Sequence, residues 1–263
     1  MKAASVILLG VFISCESGME IYGSLKITAP IIKKFGAPVV KGTINNRPAN
    51  ILLDTAVESE AYISATFLDR EKYQNIYEYI REICIETMCF KNVYAYQKDT
   101  FFTSPDKDKI NAIIGIGLLK NLRFGLDKMQ TASLEQGDKP CGGDSSTIQY
   151  NEFSVPLADI TIGGLKFDRV PIDTGAVFSL FSPETAAIFS SQLEADKNPA
   201  SACDIYGCKN GFFISSVANY CLGEKCADRV AMKYPAFDAA GCSYLKNYNI
   251  IFDFPNNKLI FCK

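Results

Sequence analysis

"ILLDTAVESEAYIS", residues 51–64, and "VPIDTGAVFSLFS", residues 170–182, share one layout. Three residues, apolar or nearly so, lead into Asp-Thr and a small residue, and a second apolar run ends on Ser. A carboxylate set between two apolar strands is costly to bury unless it is hydrogen-bonded or put to use. Asp54 and Asp173 hold the same place in the two stretches, 119 residues apart. One such Asp is a turn residue by default. Two at matched positions of a repeat predict a shared site.

The match extends both ways. Upstream, "PVVKGTINNRPANILLDTA" parallels "PLADITIGGLKFDRVPIDTG", with alternating residues broken by Asn45-Asn46 and by Gly163-Gly164. Alternation around Asn or Gly pairs predicts β-hairpins. Downstream, Ser64 and Ser182 are placed to cap short helices, with Pro183 at a first helical position. A third block, G-x3-L-K-N-x5-D, occurs at 115–127 and again at 241–253. Each copy follows two apolar residues and holds a Gly, Gly115 or Gly241. Ordered blocks of this kind predict an internal duplication.

The expected fold class is all-β, mainly strands with few short helices, near 64–72 and 183–195, and short turns near 117–121 and 243–247. The expected organisation is a signal segment at 1–15, a tether at 16–25, a first lobe at 26–135, a polar Gly/Ser-rich linker at 136–150 and a second lobe at 151–263. Asp127 and Asp253 read as strand ends, and the repeated Lys-Asn as a local cap.

Composition narrows the chemistry. The 263 residues are 48% apolar, enough for a sizeable core, and the net charge of −2 gives no electrostatic case for nucleic acid. There is no histidine. Ser-His-Asp and Cys-His catalysis are excluded, a zinc site is disfavoured, and carboxylates are left as the acid–base groups. No metal or cofactor is expected.

"MKAASVILLGVFISC" at the N-terminus has one Lys, an apolar run too short to span a bilayer, and small residues before Cys15. "VFISC" is similar to a bacterial lipoprotein lipobox, which implies export, lipidation at Cys15 and anchoring to a bacterial membrane. Plain secretion is the alternative. Export suits ten cysteines, of which three pairs share C-x4-C spacing: Cys84–Cys89, Cys203–Cys208 and Cys221–Cys226. Disulfides closing short hairpins are the expectation for an exported chain. The pairing of Cys141, Cys242 and Cys262 stays open.

Two Asp-Thr-Gly/Ala elements, each followed by apolar-apolar-Gly, resemble the bilobal aspartic peptidases of the pepsin kind, with lobes nearer in length to a retropepsin-like subunit. The resemblance covers residues 38–263. It implies a monomer of two β-lobes related by a pseudo-twofold axis. Asp54 and Asp173 would form a catalytic dyad that activates water against a peptide or protein substrate. Thr55 and Thr174 would bind across to the opposite loop, Ala56 and Gly175 would offer backbone N–H groups, and Gly115 and Gly241 would lie in strands behind. The alternative implied is the same fold without activity, acting as a surface binding lipoprotein. Three departures stand out. Val57 replaces the usual Ser or Ala, Glu58 brings a third carboxylate, and no Tyr-Gly flap motif appears. A flap hairpin is expected at 79–96, with "CIETMC" at its tip and Tyr77, Tyr79 and Tyr94 nearby.

Overall fold

A computed structural model describes residues 18–68, 77–98, 109–137, 141–204, 207–233 and 238–262. Residues 1–17, which hold Cys15 and what the sequence reads as a signal segment and the start of a tether, lie outside these. The chain is mainly β, in two seven-stranded sheets and one of six strands, with three short α-helices among the described residues.

The sequence hairpins form as expected. Val39–Ile44 pairs with Arg47–Leu53 through Asn45 and Asn46, both at positive φ, and Pro156–Ile162 pairs with Leu165–Pro171 through Gly163 and Gly164, also at positive φ. Asn and Gly are the residues that reach this region at low cost, and the resulting turn suits the right-handed twist of the strands.

The first seven-stranded sheet runs in the order Glu20–Gly23, Met88–Lys98, Ala61–Ser64, Ala112–Ile114, Arg47–Leu53, Val39–Ile44, Tyr77–Ile85. Tyr77–Ile85 pairs back on Met88–Lys98, so the sheet curls into a barrel-like ring. The other seven-stranded sheet carries Pro156–Ile162, Gly207–Leu222 and Lys225–Lys233 at its centre. The six-stranded sheet draws strands from both halves of the chain, in the order Gly143–Thr147, Lys258–Cys262, Asn249–Asp253, Arg123–Asp127, Thr131–Glu135, Lys26–Pro30. Burial alternates along Lys26–Pro30 and Thr131–Glu135, where Ala132 and Leu134 are buried, whereas Arg123–Asp127 at the centre is buried on nearly every residue. Phe124 stacks on Phe252 at 5.6 Å on the covered face.

The central pair of this sheet has an informative register. Phe124 faces Phe252, Gly125 faces Ile251 and Leu126 faces Ile250. Gly125 and Ile251 are the eleventh residues of the two G-x3-L-K-N-x5-D blocks. The repeated Asn of each block donates to carbonyls of the preceding turn, Asn247 to Tyr244 at 2.9 Å and Asn121 to Leu118 at 3.5 Å. This is the local cap read from the sequence.

Several boundaries differ from the sequence reading. Glu20–Gly23, inside the segment read as a tether, adds as a strand to Met88–Lys98. The segment read as a linker holds the strands Gly143–Thr147 and Gln149–Tyr150. The helix expected at 64–72 is a 3-10 turn, Ala65–Leu68, with 69–72 outside the described residues. The helix expected at 183–195 stops at Ile188, and Leu193 already begins a strand. Its start is as read: Ser182 accepts from the Thr185 N–H at 3.1 Å, and Pro183 follows.

Cys84–Cys89 and Cys221–Cys226 are bonded, each joining directly opposed residues across a hairpin. Their Cα separations, 4.1 and 3.9 Å, fall just under the usual range of roughly 4.4–6.8 Å, because strand pairing already holds the backbones together. The backbones of Cys203 and Cys208 also oppose each other, but the disulfide expected there lies outside the described side chains. Cys141 bonds Cys262 across 121 residues and Cys242 is free and buried, which settles the open pairing.

Candidate functional site

Strands Arg47–Leu53 and Leu165–Pro171 deliver the two Asp-Thr turns, which are backed by the strand Ala112–Ile114 and by the bridging residues Ala239 and Ala240. The Asp54 N–H donates to Ile114 O and the Asp173 N–H to Ala240 O, both at 2.9 Å. Gly115 and Gly241 come next in the chain. A Cβ at 115 would stand 2.3 Å from Ser59 O and 2.5 Å from Val57 O, and one at 241 would stand 2.1 Å from Phe178 O. Those carbonyls belong to the loops that follow the two aspartates, so only glycine lets the chain pass this close. The two glycines, expected within strands behind the loops, instead each end the backing segment and cap the start of a short helix, Ile116–Leu119 or Cys242–Leu245, because the chain turns there under the loop carbonyls. The Ile116 N–H then donates to Val57 O at 2.7 Å, and the Cys242 N–H to Ala176 O at 2.8 Å.

The threonines cross over. Thr174 Oγ1 accepts from the Thr55 N–H at 3.0 Å and donates to Leu53 O at 2.8 Å. Thr55 Oγ1 accepts from the Thr174 N–H at 3.1 Å and donates to Ile172 O at 2.6 Å. Both side chains are fully buried. Each hydroxyl uses its one proton and a lone pair on the opposite loop, so the network is complete and locks the loops to each other.

The lock places the Asp54 and Asp173 carboxyls in hydrogen-bonding contact. Asp54 is buried, while Asp173 keeps part of its surface open. Asp173 Oδ1 accepts from two backbone N–H groups, Gly175 at 2.8 Å and Ala176 at 3.0 Å. Asp54 Oδ1 accepts from Ala56 N–H at 2.9 Å. Desolvation raises the Asp54 carboxyl well above the usual carboxylate range, and the neighbouring Asp173 charge raises it further. Asp173 is raised too, chiefly by desolvation, with its two loop N–H groups and the proton offered by Asp54 pulling the other way. The pair therefore holds its shared proton up to higher pH than a free carboxyl would.

Gly175 is required by this geometry. A Cβ there would lie 2.1 Å from Asp54 Oδ2. Val57 points away from the carboxyls and packs in an apolar cluster with Val39, Leu52 and Ile113. A serine at 57 would bury its hydroxyl among aliphatic groups rather than reach Asp54. Glu58 is exposed and is absent from the groups that shift either aspartate.

The expected flap tip is elsewhere. Val39 pairs near the Asp54 end of its hairpin, opposite Leu52, whereas Thr43 pairs with Cys84. Four residues of strand separate them, about 13 Å. The Cys84–Cys89 turn therefore sits at the end of the sheet away from the aspartates. Tyr77, Tyr79 and Tyr94 lie exposed on the same hairpin, Tyr79 edge-on to Tyr94.

The sequence reading missed a second support. Ser243 Oγ accepts from the Ser179 N–H at 2.8 Å and donates to Ala231 O at 2.7 Å, while Ser179 Oγ accepts from the Gly241 N–H at 3.2 Å. The Cys242 thiol donates to Thr174 O at 3.1 Å, and burial followed by the charge of Asp173 and Asp54 pushes that thiol well up. A lone Ser or Cys without periodicity carries no signal of such a role.

Among the described residues, Glu82 clusters with Cys84 and Cys89, but both sulfurs are tied up in the disulfide, leaving one carboxylate as a metal ligand. Comparison with known protein families and with curated proteins finds no match for the chain.

Proposed function

We propose that the chain is an aspartic endopeptidase built from two duplicated β-lobes. The observation that carries the reading is the hydrogen-bonded Asp54–Asp173 pair, locked by reciprocal threonine bonds between equivalent loops. Matched support by Gly115 and Gly241, and the facing of equivalent block positions Gly125 and Ile251, favour duplication about a pseudo-twofold axis.

In this mechanism Asp173, the more open of the two and an acceptor from two loop N–H groups, is the ionised base. Asp54 is the acid. A water between them loses its proton to Asp173 and attacks the scissile carbonyl carbon. Asp54 donates to the carbonyl oxygen as the tetrahedral intermediate forms. Asp173 then gives its proton to the amide nitrogen, the C–N bond breaks, and a hydroxyl of the tetrahedral intermediate returns a proton to Asp54 as the new carboxyl forms, so the shared proton is restored and no covalent acyl-enzyme arises. The chemistry needs a single shared proton, so a third titrating group is unnecessary and the absence of histidine is no obstacle.

The test is digestion of a peptide library from pH 3 to 8. Cleavage is expected to follow a bell, with its alkaline limb displaced upward relative to a free carboxyl because both aspartates are raised. A transition-state analogue with a hydroxyl in place of the water should abolish it. A folded chain inert at every pH overturns the reading and leaves a binding protein on the same fold.

Gly175→Ala is expected to lower kcat/KM about 100-fold, since the new methyl displaces Asp54 from its partner by a substantial fraction of an ångström. Steady-state kinetics at the pH optimum check this, and retention of more than half the activity would contradict it.

Export and anchoring belong to the same proposal. Eight cysteines form three observed disulfides and the Cys203–Cys208 pair proposed here, Cys242 is buried, and Cys15 is left for lipid. Incorporation of labelled palmitate in wild type but not in Cys15→Ser checks the anchor.

A further inference from the structure

Beside the second Asp-Thr loop lies a cavity of about 210 Å³. It has no role in the dyad chemistry. One wall comes from Ile31 and Ala37 ahead of the first hairpin, and the facing wall from Val177 and Phe178 just after the Asp173 turn. Gly36, at a φ of +68°, lets the first wall approach Val177, where a Cβ would come within 3.0 Å of Cγ1. The buried Cys242 also lines it. The interior is therefore largely aliphatic and aromatic.

The rim is of one sign. Lys33 and Lys246 both line the cavity and are exposed, and neither has an ion-pair partner among the described residues. No Asp or Glu lines it. An apolar interior under two unpaired ammonium groups is complementary to a molecule with a hydrocarbon tail and an anionic head.

We propose that this cavity binds a short-chain aliphatic carboxylate, tail inward against Val177, Phe178 and Ile31, head between Lys33 and Lys246. Size fixes the length. A dry cavity of about 150 Å³ takes benzene, with its six carbons, so by simple proportion this volume takes about eight. Occupancy joins the segment before the first hairpin to the loop that carries Asp173, and so stabilises the folded chain. The proposal concerns binding and does not depend on the peptidase reading.

The experiment titrates the full chain with sodium octanoate and, separately, with octan-1-ol, by calorimetry and by thermal melting. Octanoate is expected to bind saturably, in the millimolar range or tighter, and to raise the melting temperature. Lys33→Gln with Lys246→Gln, both exposed positions, should weaken octanoate about fivefold and leave octanol unchanged, because two surface ion pairs are lost and the tail contacts are kept. Ala231→Phe, which fills the cavity from its side wall, should abolish binding of both. Absence of saturable octanoate binding to about 10 mM overturns the proposal. So does equal affinity of the double-glutamine variant, or unchanged binding in a folded Ala231→Phe. The double-glutamine arm decides the matter if the filled variant does not fold.

Discussion

Asp173→Asn is expected to abolish peptide cleavage, and Asp54→Asn to do the same, each by at least about 10⁴-fold. Asn at 173 cannot take the proton of water, and Asn at 54 cannot hand a carboxylic proton to the carbonyl oxygen. The double variant should be scarcely worse than either single one, because the two groups act on one proton. The same variants should gain stability. Both carboxyls are raised by burial and, at Asp54, by the facing charge, so the folded chain holds its shared proton to higher pH than the unfolded chain does. More protons bound in the folded state means that stability falls as pH rises from the ordinary carboxyl range through the titration of the pair. An Asn has no proton to lose. The melting temperatures of Asp54→Asn and wild type should therefore coincide at acid pH and separate in favour of the variant toward pH 7. A variant that loses activity and is also less stable at neutral pH would mean that the pair is a structural contact rather than a strained catalytic one.

Replacing Cys141 and Cys262 together by Ser is expected to cost about 4–5 kcal/mol, against about 2 kcal/mol for Cys84 with Cys89. The difference follows from loop length: the first bond spans 121 residues and the second spans 5. At this chain length the larger loss lowers the melting temperature by about 10–20 °C. The bond also pins Gly143–Thr147 to Lys258–Cys262 at the edge of the six-stranded sheet, where Gly143 pairs opposite Cys262. Thermal unfolding of the two double variants under non-reducing conditions checks the ranking. Equal losses would show that the long-range bond constrains the unfolded chain no more than a hairpin does.

Much of the site was legible because its parts repeat. Asp54 and Asp173, Thr55 and Thr174, and Gly115 and Gly241 each occur at matched offsets, and in the structure each pair performs matched contacts. The hairpins were legible from Asn45-Asn46 and Gly163-Gly164, where local turn chemistry decides the backbone. What was not legible depends on contacts distant in sequence. Glu20–Gly23 reads as polar tether because an edge strand needs no apolar alternation when its backbone bonds supply the pairing. The hairpin cysteines read as a flap tip because spacing shows that a turn exists, not which end of a sheet it occupies. Val57 reads as a missing hydroxyl, yet its side chain belongs to the cluster below the loop. Ser179, Ser243 and Cys242 support the second loop through single bonds that leave no pattern along the chain.

The long disulfide also sets an order of events. Cys84 and Cys221 meet their partners five residues later, so each bond can close as soon as its own turn has been made. Cys141 must wait for 121 further residues. In that interval Cys203, Cys208, Cys221, Cys226 and Cys242 all arrive, each an available wrong partner for an open thiol. Fast oxidation would therefore trap mispaired chains, and slow oxidation or thiol exchange would release them. Correct closure is favoured once Asn249–Asp253 and Lys258–Cys262 complete the six-stranded sheet, because Gly143 then stands opposite Cys262 and brings Cys141 to its partner.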